Sequence, residues 1–221
     1  MSLKKASIVI MVILLIDQIS KIYIKTHFQL GEDVTVFSWF KIAFIENDGM
    51  AWGTKLSDFT TLISDRSAKL ILTLFRIVAV TGIAFWLIDV TKKQKSKTLI
   101  FAVSIIFAGA LGNILDSVFY GILFNDSVMQ VATFLPEDGG YADVFHGNVV
   151  DMLHFPIWSG VMPDNLPLIG GKYFSFFDPV FNIADMAIST GIGILIVFNK
   201  KAFEESSKND THDSELHNNP I

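Results

Sequence analysis

A chain of 221 residues, 51% hydrophobic and with a formal net charge of -5, is long enough for one domain, but its apolar residues fall in long blocks, which points to lipid as the solvent. The acidic balance gives no reason to expect a nucleic-acid partner. Without cysteine there are no disulfides, thiolate nucleophiles or cysteine-based metal sites, and the redox compartment stays open.

Taken in chain order, four apolar blocks are long enough for the roughly 20 helical residues that a bilayer core needs. They are Ala6–Ile24, Leu70–Ile88, Leu99–Phe119 and Val180–Phe198, and they predict transmembrane helices over about 6–26, 68–90, 98–119 and 180–199. The first block follows Lys4 and Lys5 as a signal peptide would. No small-x-small cleavage site follows it, however, and the run continues through Asp17 and Lys21, so it reads as a retained span. Lys4 and Lys5, then Lys92, Lys93, Lys95 and Lys97, then Lys200 and Lys201 all fall on one side of such a topology, which predicts cytoplasmic termini.

Two segments are left outside, at about 27–66 and 120–179. Within the first, Phe28–Ile45 mixes β-branched and aromatic runs with Gly31 and Asp33, the pattern of a small sheet at the membrane surface. The second, rich in glycine and proline, reads as loops with short strands or an interfacial helix. The tail over 204–221 is polar and predicted to be disordered. The fold class expected is thus an all-α membrane protein of four transmembrane helices, with a small β-sheet and an irregular or helical segment on its outer face.

Ionisable residues inside spans cost about 2.5 to 3.5 kcal/mol each on insertion scales, so each needs a reason. In the predicted topology Asp17 and Lys21, Asn113 and Asp116, and Asn182 and Asp185 all reach the outer end of their helices, and each pair shares a helix face at i,i+3 or i,i+4. Gly109 and Gly112 would let a neighbouring helix close over the cluster. Plainer readings exist: an intrahelical Asp17–Lys21 ion pair, and interhelical hydrogen bonding for Asn113 and Asp116. Arg76, inside the second span, fits a snorkelling or structural cation better than a catalyst. Asp185, six residues into an apolar run, has few cheap partners. Asp151 in VVDMLHFPIW is by itself compatible with an ordinary loop carboxylate, although its apolar neighbours suggest a segment dipping into the membrane surface.

Two carboxylates in a poorly solvated pocket tend to share one proton, the arrangement by which aspartic proteases activate water without metal or nucleotide. No G-x-S-x-G surrounds any serine, and HEXXH, P-loop and GxGxxG motifs are absent. A zinc site at His146 and His154 is disfavoured, and His154 is expected to pack locally. A proton- or ion-coupled transporter and a non-catalytic scaffold are the competing classes, though four spans are few for a transporter.

Five segments, DQISK (Asp17–Lys21), ENDGMAWG (Glu46–Gly53), GALGNILDS (Gly109–Ser117), VVDMLHFPIW (Val149–Trp158) and FNIADMAI (Phe181–Ile188), resemble in order the motifs of the lipoprotein signal peptidases, or signal peptidase II. The resemblance runs from the first span to the fourth. It implies that Asp151 and Asp185 are a catalytic dyad, and that Asp17, Lys21, Asn47, Gly49, Asn113, Asp116 and Asn182 order the pocket and bind substrate. The implied reaction cleaves before the diacylglyceryl-modified cysteine of a prolipoprotein, at the outer leaflet of a bacterial inner membrane, by a monomer with no cofactor that globomycin inhibits. A peptidase domain would occupy 1–203, with membrane lipids and lipid-modified prolipoproteins as its partners. One position departs: the family usually carries Arg where this chain has Ser117, and Arg76 is the candidate substitute.

Overall fold

The computed structural model describes residues 1–47, 64–167, 169–176 and 179–203. Helix α1 spans Leu3–His27, started by the Ser2 side chain accepting from the Lys5 amide. Two strands follow, β1 (Asp33–Phe37) and β2 (Phe40–Asn47). Next come α2 (Asp65–Lys92) and α3 (Lys97–Leu115), each capped by a serine, Ser64 and Ser96. A π-helical turn, Asp116–Tyr120, extends α3 into the short α4 (Gly121–Leu123). Strands β3 (Val149–His154), β4 (Trp158–Val161), β5 (Tyr173–Phe176) and β6 (Val180–Phe181) lead to α5 (Ile183–Val197) and α6 (Asn199–Phe203).

Helix α3 is the hub, packing on α1, α2 and α5. At Gly109 an added Cβ would stand 2.2 Å from the Ala184 carbonyl oxygen, and at Gly112 it would stand 2.6 Å from Asp17 Oδ2. Gly109 thus lets the backbone of α5 approach α3 closely, as the sequence suggests, while Gly112 leaves room for the Asp17 carboxylate of α1. Away from these seams the helices turn large apolar side chains outward, among them Leu15, Ile19, Phe75, Val78, Phe85 and Ile196. Such a surface suits a lipid environment.

Among the described residues, three helices are long and apolar enough to cross a membrane: Leu3–His27, Asp65–Lys92 and the α3–α4 continuation Lys97–Leu123. The fourth predicted span is shorter than expected. Val180 and Phe181 belong to β6, and Asn182 starts α5 abruptly with a capping box, accepting from the Asp185 amide while the Asp185 carboxyl accepts from the Asn182 amide. The remaining 15 residues make a helix of about 22 Å against a core of about 30 Å, and α6 follows directly. The small sheet expected beside the helices is present, and among the described residues it has four antiparallel strands in the order β1-β2-β3-β6, with β4 and β5 forming a separate hairpin.

One end of the bundle holds the start of α1, the α2–α3 turn and α6, joined by an apolar cluster of Ala6, Leu87, Val90, Leu99, Ile100, Val103 and Ala202. Every lysine cluster named above is at this end. At the other end Ile24, Tyr120 and Phe124 pack beneath Phe44, Val150 and Met152 of the sheet. The polar cluster lies at this second end. The predicted tail over 204–221 falls outside the described residues.

Candidate active site

The site is built where the π-turn ends α3. Ser117 Oγ donates back to the Asn113 carbonyl at 3.0 Å, a bond that bends helices. The carbonyls exposed by the turn are taken up by the incoming loop: Phe145 N donates to Val118 O, Gly147 N to Ser117 O and Ala142 N to Gly121 O, at 3.1, 2.9 and 3.0 Å. That loop therefore delivers β3 against α3, and the Val150 amide donates to Asp116 Oδ2 at 3.3 Å. VVDMLH is a strand paired on both sides, by β2 and β6, with Asp151 opposite Ile45. It is not the interfacial helix that the sequence left open.

Beneath the strand, Lys21 spends all three ammonium donors inside the protein. It contacts Asp17 Oδ2 at 2.9 Å and Asp116 Oδ2 at 2.8 Å, and donates to Asn113 Oδ1 at 2.9 Å; Lys21, Asp17 and Asp116 are wholly buried. The Asp17–Lys21 pair is thus an interhelical tie, not merely an intrahelical one. Asp17 also reaches α5, accepting from the Ala184 amide at 2.9 Å. Gln18 supplements the group by donating to Asp17 Oδ2 and Asp116 Oδ1, at 3.1 and 2.9 Å, and it accepts from the Tyr120 hydroxyl at 3.2 Å.

Above this tie, a chain of amides joins the two candidate carboxylates. Asn182 Nδ2 donates to Asp151 Oδ1 at 2.7 Å and to Asn113 Oδ1 at 3.1 Å. Asn113 Nδ2 in turn donates to Asp185 Oδ1 at 2.8 Å. Asn47, the last residue of β2, donates to Asp151 Oδ2 at 3.2 Å. Asp151 is 4% exposed, and its carboxyl is pushed up to about 7, first by burial and then by the neighbouring Asp185 charge; the Asn47 and Asn182 bonds and the Lys21 cation offset this only in part. Arg76 of α2 is close enough to Asp185 and Asp151 to interact with both charges.

The structure thus brings together Asp17, Lys21, Asn47, Asn113, Asp116, Asp151, Asn182 and Asp185. Gly49 lies outside the described residues, with most of ENDGMAWG. The two histidines considered for zinc are engaged separately, His146 Nδ1 against the Val144 carbonyl at 3.0 Å and His154 opposite Lys41 in the sheet. Sequence reasoning missed Gln18 and Tyr120. Gln18 lay inside the quoted DQISK segment, one residue from a buried carboxylate, and that was the available signal; Tyr120 gave none, because its approach depends on the π-turn.

Two solved structures described as a bacterial membrane enzyme share this fold. One has a TM-score of 0.57 at 22% identity, covering 89% of this chain and 93% of the other; the second has a TM-score of 0.55 at 21% identity, covering 94% of each. At the level of sequence, residues 9–200 match the family model for signal peptidase (SPase) II. The lipoprotein signal peptidase of Porphyromonas gingivalis is 44% identical over 196 residues, 88% of this chain and 82% of the relative. That of Amoebophilus asiaticus is 36% identical over 191 residues, 85% and 73% of the two chains. The chain belongs to the lipoprotein signal peptidase family, the signal peptidases II. It is accordingly a membrane peptidase of lipoprotein processing.

Proposed function

We propose that this chain is an aspartic endopeptidase that removes the signal peptide from diacylglyceryl-modified prolipoproteins, cleaving before the lipidated cysteine with Asp151 and Asp185 as its dyad. The observation that carries the reading is the amide chain Asp151–Asn182–Asn113–Asp185, which holds two carboxyl groups in one electrostatic unit. Asp185 sits in the first turn of α5 with donors on both oxygens, where the positive end of the helix dipole complements a carboxylate. Asp151, with its carboxyl pushed up to about 7, holds the shared proton.

In this mechanism Asp185 takes a proton from water as the water oxygen attacks the scissile carbonyl, and Asp151 donates its proton toward the developing oxyanion. The roles then exchange: Asp185 protonates the leaving amine, and Asp151 recovers a proton as the carbonyl re-forms. Asp17, Lys21, Asn113, Asp116 and Asn182 hold the geometry, and Asn47 and Gly49 order the substrate side. Arg76 supplies positive charge near the dyad in a chain that carries Ser117 where relatives usually have Arg.

The lysine clusters at one end of the bundle support cytoplasmic termini in a bacterial inner membrane, with α5 and α6 completing a fourth span and the site at the outer leaflet. The peptidase domain is 1–203. A transporter reading is disfavoured because the end opposite the site is closed by apolar packing. The test incubates purified protein with a lipid-modified prolipoprotein and resolves the products on a gel, with globomycin as inhibitor. Persistent cleavage by both Asp151→Asn and Asp185→Asn would sink the dyad, and equal cleavage of an unlipidated precursor would sink the substrate assignment.

A further inference from the structure

The sheet above the helices has two faces. Because side chains alternate along a strand, Ile45 and Asn47 share the face of Asp151, while Phe44 and Glu46 share the opposite face with Val150 and Met152. On that second face lies a polar group that the proposed mechanism does not use. Lys25, 1% exposed, is ion-paired with Glu46, whose side chain is 9% exposed. Lys25 Nζ also donates to Ser127 Oγ at 2.9 Å and lies 5.7, 5.4 and 4.9 Å from the ring centres of Phe44, Phe124 and Tyr141.

Glu46 uses both oxygens. Oε1 accepts from Lys25 and, at 2.8 Å, from Ser127 Oγ; Oε2 accepts from Asn148 Nδ2 at 2.9 Å. Asn148 in turn accepts from Lys69 of α2, and its amide donates to the Tyr141 hydroxyl at 2.6 Å. Glu46 therefore ties α1, the 124–134 loop and, through Asn148, α2 and the start of β3. It does so one residue before Asn47 and opposite Val150, so the knot sits at the point where β2 and β3 bring Asn47 to Asp151.

A buried ion pair is a weak source of net stability, because desolvating both charges consumes most of their attraction. Its better-attested use is to fix one arrangement among several. The β2–β3 ladder needs such a device, since its register shifts between Ile42 and Ile45, and a slip of one residue would turn Asp151 to the wrong face.

We propose that Glu46 is a positioning residue for the reaction: anchored by Lys25, Ser127 and Asn148 on the buried face of the sheet, it sets the β2–β3 register and so holds Asn47 on the Asp151 carboxyl. The inference rests on the reading of Asp151 and Asp185 as the dyad. The test is a double-mutant cycle of Glu46→Gln and Asn47→Ala, assayed on a synthetic lipid-modified prolipoprotein peptide with rates normalised to folded protein recovered by size exclusion. Glu46→Gln is expected to lower kcat about tenfold with KM changed by less than about twofold, and the double variant to be no slower than Asn47→Ala alone.

A kcat within about twofold of the parent, a loss confined to KM, or losses that multiply in the double variant would each overturn the proposal. Should Glu46→Gln not accumulate, Asn148→Ala, which removes the side-chain branch to α2 and the start of β3 but leaves the Lys25 and Ser127 contacts of Glu46, takes its place in the cycle. Failure of the dyad reading looks different: cleavage would persist in Asp151→Asn whatever the cycle shows.

Discussion

Helix α3 is buried at both ends, yet the two ends are solved in opposite ways. Around Leu99, Ile100 and Val103 its neighbours are aliphatic. Around Asn113 and Asp116 they are Asp17, Lys21, Gln18 and Asn182. The apolar end needs only complementary shape. The polar end needs each donor and acceptor to be matched, because an unpaired charge out of water costs several kcal/mol. The paired end is also the one that carries the sheet and both candidate catalytic carboxylates.

The largest expected effect tests whether the polar end is chemical at all. Asp151→Asn and Asp185→Asn should each lower kcat by roughly 10³-fold or more, the scale on which general acid and base groups act. Both should still bind a lipidated precursor, measured by pull-down from detergent. Ile100→Ala at the apolar end should cost about 2 to 5 kcal/mol of stability through its cavity, while kcat per folded molecule stays unchanged.

Lys21→Met should combine both losses, since it leaves Asp17 and Asp116 facing each other without their shared cation. A loss of about 3 to 5 kcal/mol is expected from breaking a buried pair on one side, read as the denaturation midpoint in detergent. Activity per folded molecule should fall as well, because Lys21 also holds Asn113. If Met at this position stabilised the protein, the polar end would be a dispensable solution to packing.

A smaller effect follows from the Asp151 carboxyl at about 7 against an ordinary 3.8. A raised carboxyl means that the folded state holds its proton more tightly than the unfolded one, so this group's contribution to stability is fully present below pH about 4. It is lost as pH rises to about 7 and is level beyond. Thermal unfolding of the parent and Asp151→Asn should therefore diverge between pH 4 and 7, with only the parent showing this part of the decline. The rate should also fall above about pH 7, as Asp151 loses the proton it donates.

How much of this was legible in the residues follows from what each feature depends on. Three spans were plain because about twenty predominantly apolar residues in one block admit little else, and Asp185 stood out because a carboxylate in such a block demands partners. The fourth helix was overestimated: Val180 and Phe181 are as apolar as a span requires, and only the cap at Asn182 shows that they belong to a strand. Asp151 was opaque from the residues alone, because its proximity to Asp185 is made by loop amides donating to the carbonyls of a π-turn around Ser117, which has no period to read. Lys25 and Glu46, 21 positions apart, are joined only when β2 folds back over the end of α1.

The smallest expected effect concerns the seam that lets the polar end close. Gly109→Ala would force a methyl into the Ala184 carbonyl, 2.2 Å from the added Cβ, and the backbone would have to move. Overpacking of this kind costs about 1 to 3 kcal/mol. Gly193, on α5, has nothing within 4 Å of an added Cβ, so Gly193→Ala should be neutral or stabilising by up to about 1 kcal/mol from helix propensity. Because Ala184 is next to Asp185, the displaced backbone at Gly109→Ala should also lower kcat, whereas Gly193→Ala should leave it alone. Equal effects of the two substitutions would show that close approach of α5 to α3 is not what sets the depth of Asp185 beside Asn113.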